Sequence, residues 1–105
     1  MNSIIFGGSG FIGQHLISIL NRNYYNLDID KFGENFQYCD VRNKIDLNLK
    51  VNSNTIIYNL AALCTIPKYD EEEYYETNIQ GAINICNYAR RNSIKVLVFA
   101  SSIAP

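Results

Sequence analysis

The chain has 105 residues, the size of one domain with a small core. Nine Lys and Arg against ten Asp and Glu leave a formal charge of -1, with no basic footprint for nucleic acid and no long run of one sign. No apolar run is long enough to span a bilayer, so no membrane role is expected. The first residues lead into a strand pattern rather than a signal peptide. The three scattered cysteines, Cys39, Cys64 and Cys86, form no CxxC pair and, with one histidine, no metal constellation. The expectation is a metal-free cytoplasmic protein with reduced thiols.

Ser3-Ile4-Ile5-Phe6 reads as a short buried strand, and residues 11–20 carry apolar positions at helical spacing: Phe11/Ile12, Leu16 and Ile19/Leu20. Between them lies Gly7-Gly8-Ser9-Gly10-Phe11-Ile12-Gly13. The glycines therefore sit on a strand-to-helix turn, where a dinucleotide pyrophosphate can rest on the open N–H groups and positive end of a helix. Two registers fit, Gly8-x-Gly10-x-x-Gly13 and Gly7-x-x-Gly10-x-x-Gly13. One glycine allows a tight turn, Gly10 keeps a Cβ away from the phosphates, and Gly13 lets the helix lie close to the strand.

After a turn at Asn21-Arg22-Asn23, residues 24–28 read as a second strand ending on Asp28. Asp28 lies about twenty residues beyond Gly7, the distance at which an acid meets the adenosine ribose. A carboxylate there accepts from both ribose hydroxyls and repels a 2′-phosphate, which favours NAD over NADP. The bland alternative is that Asp28 merely ends the strand, and Asp30 is the rival if the register slips by two. Residues 31–35 are too short for a well-formed crossover helix and read as a turn or a single helical turn. Phe36-Gln37-Tyr38-Cys39 is a third strand, with Asp40-Val41-Arg42 directly after it. Asp40 could accept from an adenine amino group with Val41 against the ring, or cap the next segment, or both. Ile45, Leu47 and Leu49 suggest a short helix over residues 43–50.

Residues 55–60 form the fourth strand, and Ala61-Ala62 after it are small enough for a cofactor to pass close to backbone. Pro67 breaks a loop over residues 63–68. Residues 69–92 predict one long helix, acidic at Asp70-Glu71-Glu72-Glu73 and basic at Arg90-Arg91, matching the helix dipole. Its apolar set is wide, with Tyr75, Ile79, Ala82, Ile83, Cys86 and Ala89 on one side and Tyr74, Ile85 and Tyr88 on others. One sheet-facing stripe needs less, so a partner helix or subunit is expected. Asn78 and Gly81 are poor helix formers and mark close packing or a kink. Residues 95–100 are apolar on both faces, the pattern of a strand buried inside a parallel sheet. As an edge, that strand would expose apolar groups and an unpaired ladder.

Five strands alternating with helical runs give an α/β fold with a parallel sheet and helices on both faces. At this point the sequence resembles the extended short-chain dehydrogenase/reductases, the NAD-dependent nucleotide-sugar epimerases and dehydratases. The likeness rests on residues 5–16, on Asp28, on Cys39-Asp40-Val41-Arg42 and on Tyr58-Asn59-Leu60-Ala61-Ala62. It continues through Tyr75-Glu76-Thr77-Asn78-Ile79-Gln80-Gly81-Ala82 and Val98-Phe99-Ala100-Ser101-Ser102, and so spans the chain. The resemblance implies a Rossmann-type sheet of order 3-2-1-4-5 over residues 1–105, the N-terminal NAD-binding part of a longer enzyme. It implies that Gly7, Gly10, Phe11, Ile12 and Gly13 hold the pyrophosphate, Asp28 the ribose, and Asp40 and Val41 the adenine. Leu60, Ala61 and Ala62 would line the cofactor's path, with Asn78 towards the nicotinamide. Ser102, or Ser101 if the register is off by one, matches the catalytic Ser/Thr.

Phe6 and Asn59 stand where the family usually has Thr and often has His. The larger departure is the family's Tyr-x-x-x-Lys base. Lys31, Lys44, Lys50, Lys68 and Lys95 have Leu27, Asp40, Asp46, Cys64 and Arg91 four residues earlier, and none of these is Tyr. Ser can position a sugar hydroxyl but cannot take its proton, so the chain alone is expected to be inert. A nucleotide sugar is the implied substrate of the complete enzyme. Self-association is expected through the helix 69–92 or the strand 95–100. The rival readings are a non-catalytic NAD(P)-binding regulatory or redox-sensing module and a remnant with neither activity.

Overall fold

In the computed structural model, residues 2–21, 23–61 and 71–100 are described. Strand β1 (Ser3–Phe6) runs into helix α1 (Phe11–Leu20), then β2 (Tyr24–Asp28), β3 (Phe36–Tyr38) and β4 (Ile56–Asn59). A helical rod comes next: α2 (Glu71–Tyr75), a π-helical turn (Glu76–Gln80) and α3 (Gly81–Arg91), before β5 (Val96–Phe99). All four strand pairings are parallel, in the order β3-β2-β1-β4-β5. This is the order the resemblance implied.

The core lies on both faces of the sheet. Ile5, Ile17 and Tyr24 join β1, α1 and β2 on one face. On the other, Ile4, Phe6, Leu27 and Ile57 meet Ile85, Tyr88 and Ala89 of α3. The alternation of Ile4 and Ile5 to opposite faces explains why β1 is buried at all four positions. The Tyr88 ring meets Phe6 edge-on at 6.5 Å.

One expectation needs correction. Residues 43–50 form no helix. Ile45, Leu47 and Leu49 recur every second residue, the period of an extended chain, and Ile45 and Leu49 are buried under α3. Backbone carbonyls of that segment are held from α3: the Arg91 guanidinium donates to Ile45 and the Tyr88 hydroxyl to Leu47. The wide apolar set of the long helix left its inward side open, and the structure settles it. Ile85, Tyr88 and Ala89 face the sheet, whereas Tyr75, Ile79 and Ile83 form an exposed row four residues apart. The π-turn between the two helical pieces shifts their phase. As the implied order requires, β5 is the sheet's edge, and although its pattern is that of a buried strand, Val96, Val98 and Phe99 are each between 43% and 47% exposed.

Gly81 fulfils the expectation of close packing at a helix irregularity. A Cβ there would lie 2.8 Å from Cγ2 of Val41. The Asn84 side-chain amide donates to the Val41 carbonyl at 2.8 Å, so α3 grips the chain just past β3.

Candidate functional site

At the C-terminal ends of β1, β2 and β4 the chain encloses an open cavity of about 470 Å³. In parallel sheets this is where ligands collect, because the helices that follow the strands point their N-termini there. The floor is the glycine turn. Gly7 has φ +83°, and a Cβ on it would lie 2.7 Å from the backbone of Leu60 and Ala61. Only glycine lets β1 turn while β4 passes this close. A Cβ on Gly13 would lie 2.4 Å from the Cα of Gly8, so α1 can lie against the turn only without one. At Gly10 the added carbon would meet nothing nearer than the Gly7 carbonyl oxygen at 3.7 Å, and Gly10 itself lines the cavity.

Helix α1 starts without a side-chain cap. Its first helical bond runs from Gln14 N–H to the Gly10 carbonyl at 2.9 Å, which places the Phe11, Ile12 and Gly13 N–H groups ahead of it at the open end. The side chains of Phe11 and Ile12 stand in solvent, and Gly13 is buried. What these residues can offer an anion is therefore backbone.

Asp28, at the end of β2, lines the same cavity. One carboxylate oxygen accepts the Ser9 N–H at 2.9 Å, and the other accepts the Ile29 N–H at 2.6 Å. Each carboxylate oxygen can take two hydrogen bonds, so Oδ2 keeps capacity for a hydroxyl donor. Asp30 lies beside it on the cavity wall, giving two acids at one corner.

Asp40 and Val41 also line the cavity, at the far side of β2. The Arg42 side chain forks onto Asp40, with Nη2 at 2.7 Å and Nε at 3.0 and 3.1 Å from its two oxygens. These bonds hold the Asp40 carboxyl below its ordinary range against the opposing effect of burial. Arg42 takes most of the Asp40 acceptor capacity, so an adenine amino group would share it. The Arg42 N–H also bonds Asp40 at 3.0 Å, a turn rather than the helix cap read from the sequence. Cys39 forms part of the wall, and its thiol is pushed up to about 11 by burial and then by the charges of Asp40 and Asp28. It is a neutral wall group at physiological pH.

Leu60 and Ala61 close the side against β4. The buried Asn59 amide oxygen accepts the Ala61 N–H at 3.0 Å and fixes that exit from the strand. The structure thus brings Gly7, Gly10, Asp28, Asp40, Val41, Leu60 and Ala61 together around one cavity. Asn78 lies on the π-turn beside Thr77, and it is Thr77 that lines the wall. Ala62, Ser101 and Ser102 lie outside the described residues. Sequence reasoning missed Ser9, Arg42, Glu73 and Thr77. Ser9 sat inside the glycine run, and Glu73 and Thr77 are four apart on one helical face.

A parallel sheet with an uncapped glycine turn and an acid at the next strand end defines a dinucleotide-binding class of α/β protein. The family model of the NAD dependent epimerase/dehydratase family matches residues 3–105, and the chain belongs to that family. It is 32% identical to a putative UDP-glucose 4-epimerase of Methanocaldococcus jannaschii, covering 94% of this chain and 37% of that protein. It is 31% identical to the N-acetyl-alpha-D-glucosaminyl-diphospho-ditrans,octacis-undecaprenol 4-epimerase of Escherichia coli O157:H7, over 98% of this chain and 33% of that one. The fold superposes on MoeE5 in complex with UDP-glucose and NAD with a TM-score of 0.80 at 23% identity, over 98% of this chain and 37% of that one. The chain thus spans little more than a third of these proteins' length. Among the described residues no helix is long and apolar enough to cross a membrane.

Proposed function

We propose that residues 1–105 are the N-terminal NAD-binding domain of a cytoplasmic nucleotide-sugar epimerase or dehydratase. The observation that carries this is one cavity onto which both the glycine turn ahead of the uncapped α1 and the Asp28 carboxylate open. The residues present fit the cofactor, because the missing Cβ atoms at Gly7, Gly10 and Gly13 leave the turn tight and its backbone reachable.

Gly7 and Gly10, whose N–H groups bond the Leu27 and Gly7 carbonyls, would shape the pyrophosphate turn. The Phe11, Ile12 and Gly13 N–H groups would take the pyrophosphate, and Asp28 the ribose hydroxyls. Val41 would flank adenine, with Asp40 accepting from its amino group alongside Arg42. Leu60, Ala61 and Ala62 would give the path towards Asn78 and the nicotinamide. Bound NAD supplies a hydride acceptor next to the sugar. Ser102, or Ser101, would orient the sugar hydroxyl. Its proton needs a base, and a Tyr-x-x-x-Lys pair does not occur in these 105 residues. Turnover of a nucleotide sugar therefore requires that pair from outside this sequence. The exposed row Tyr75, Ile79 and Ile83 and the apolar edge of β5 are the surfaces for a homodimer or for further chain.

The test is isothermal titration of the chain with NAD and NADP. Two acids at the ribose corner repel a 2′-phosphate, so NADP is expected to bind at least about tenfold more weakly, or about 1.4 kcal/mol. Asp28→Ala should narrow that gap. Equal affinities in the unmutated chain would remove Asp28 from its role. A folded chain that binds no adenine dinucleotide would end the reading.

A further inference from the structure

Asn26 is a polar residue in the middle of β2, and its side chain is completely buried. Nothing in the dinucleotide reading uses it. Strand alternation puts it on the same face as Tyr24 and Asp28, beneath the glycine turn. Its amide nitrogen donates to the Ser9 hydroxyl oxygen at 3.1 Å and to the Phe32 carbonyl at 2.9 Å. Its amide oxygen has no hydrogen-bond partner among the described residues and instead faces Gly8. A Cβ on Gly8 would lie 2.4 Å from that oxygen, so the turn is seated directly on the amide.

A half-satisfied buried amide is a costly way to fill a strand interior, and an apolar side chain would fill it more cheaply. Its bonds go to two loops. Ser9 belongs to the glycine turn, and Phe32 to the β2–β3 connection that follows Asp28. Ser9 joins those loops a second time: its N–H bonds the Asp28 carboxylate at 2.9 Å, and its hydroxyl donates to the Asp30 carbonyl.

We propose that Asn26 is a positioning residue for dinucleotide binding. Acting through Ser9, it locks the phosphate-binding turn to the ribose-binding loop so that both meet one ligand at a fixed separation. This rests on the NAD-binding reading. The ligand class concerned is any adenosine carrying a 5′-diphosphate, because only such a ligand spans both loops. Adenosine alone touches one of them and gains little from the lock.

The experiment measures NAD, ADP and adenosine affinity for the 105-residue chain and for Asn26→Leu, Ser9→Ala and the double variant, with thermal unfolding of each without ligand. Asn26→Leu is expected to unfold at the wild-type temperature or above. It should bind NAD and ADP about tenfold more weakly, the effect of one to two lost hydrogen bonds, with adenosine changed by less than about twofold. Ser9→Ala should show the same pattern, and the double variant should lose little more than either single. Unchanged ADP affinity in a folded Asn26→Leu overturns the proposal, as do equal losses for ADP and adenosine, or losses that add in full. If Asn26→Leu does not fold, Ser9→Ala decides alone, and normal ADP binding by it overturns the lock. A wild-type chain that binds none of the three ligands refutes the NAD-binding reading itself.

Discussion

The half of the sheet from β1 to β3 and the half from β4 to β5 are built differently. Around β1, β2 and β3, polar groups converge on one cavity and are tied to one another: Ser9 to Asp28, Asn26 to Ser9 and Phe32, Arg42 to Asp40. Around β5, the surface is apolar and open, with Val96, Val98 and Phe99 nearly half-exposed. In the proposed reading, the polar groups that would meet an adenosine diphosphate therefore come mainly from the first part of the chain, with Leu60, Ala61 and Thr77 completing the wall. The other half contributes framework, apolar surface and one wall of the cavity. Binding and chemistry are separable in such a design, because the cradle does not depend on the residues that would move a proton.

The comparison is tested hardest by damaging the framework alone. Ile85 is fully buried in the larger core and is not among the residues that line the cavity. Ile85→Ala should cost about 2–5 kcal/mol in urea unfolding, while each folded molecule keeps its NAD affinity. An affinity loss in the folded fraction would show that the two halves are coupled. Next comes the reverse experiment. Gly13→Ala places a Cβ 2.4 Å from the Gly8 Cα and must lift α1 off the turn. Overpacking of this kind costs about 1–3 kcal/mol, and NAD affinity should drop well beyond that of Ile85→Ala. Normal NAD binding by Gly13→Ala would separate the helix end from the ligand.

A lysine on the open edge should sharpen the contrast with little effect on stability. Val98→Lys is expected to change unfolding by no more than about 0.5 kcal/mol, and to reduce self-association in sedimentation velocity. If only Ile79→Lys reduces it, the contact is the exposed helix row. The smallest effect concerns pH. The Cys39 thiol is raised from 9.0 to about 11, so its contribution is complete below pH 9 and is lost as pH climbs towards 11. Burial also raises the Tyr88 hydroxyl, which adds to the same alkaline limb. Cys39→Ala should therefore flatten the stability curve above pH 9 and leave its shape near pH 7 unchanged. An identical alkaline limb in both proteins would contradict the assigned cause.

The strand runs, the glycine turn and the place of Asp28 at a strand end were legible in the sequence because each is set by local rules: short apolar runs, φ requirements, and a fixed spacing between turn and acid, whereas the strand order came from the family resemblance. What was not legible depends on partners distant in the chain. Residues 43–50 carry a two-residue period that could be read as helix only by ignoring Arg91 and Tyr88, which hold their carbonyls. The inward side of the long helix could not be found from one phase, because the π-turn at Glu76–Gln80 resets it. The Arg42 fork on Asp40 was hidden for a different reason: adjacent charges in sequence do not say which way the side chains turn. Asn26 gave no signal at all, since an amide in a strand becomes informative only when its partners are seen.

The most direct measurement is a ¹⁵N–¹H correlation spectrum of the chain titrated with NAD. The expected result is that the amides of Gly10, Phe11, Ile12 and Gly13 shift first and furthest, with Asp28 and Ile29 following at the same half-saturation. Shifts confined to the β5 edge or the Tyr75–Ile79–Ile83 row, with the front of α1 unmoved, would contradict a cradle at the first helix.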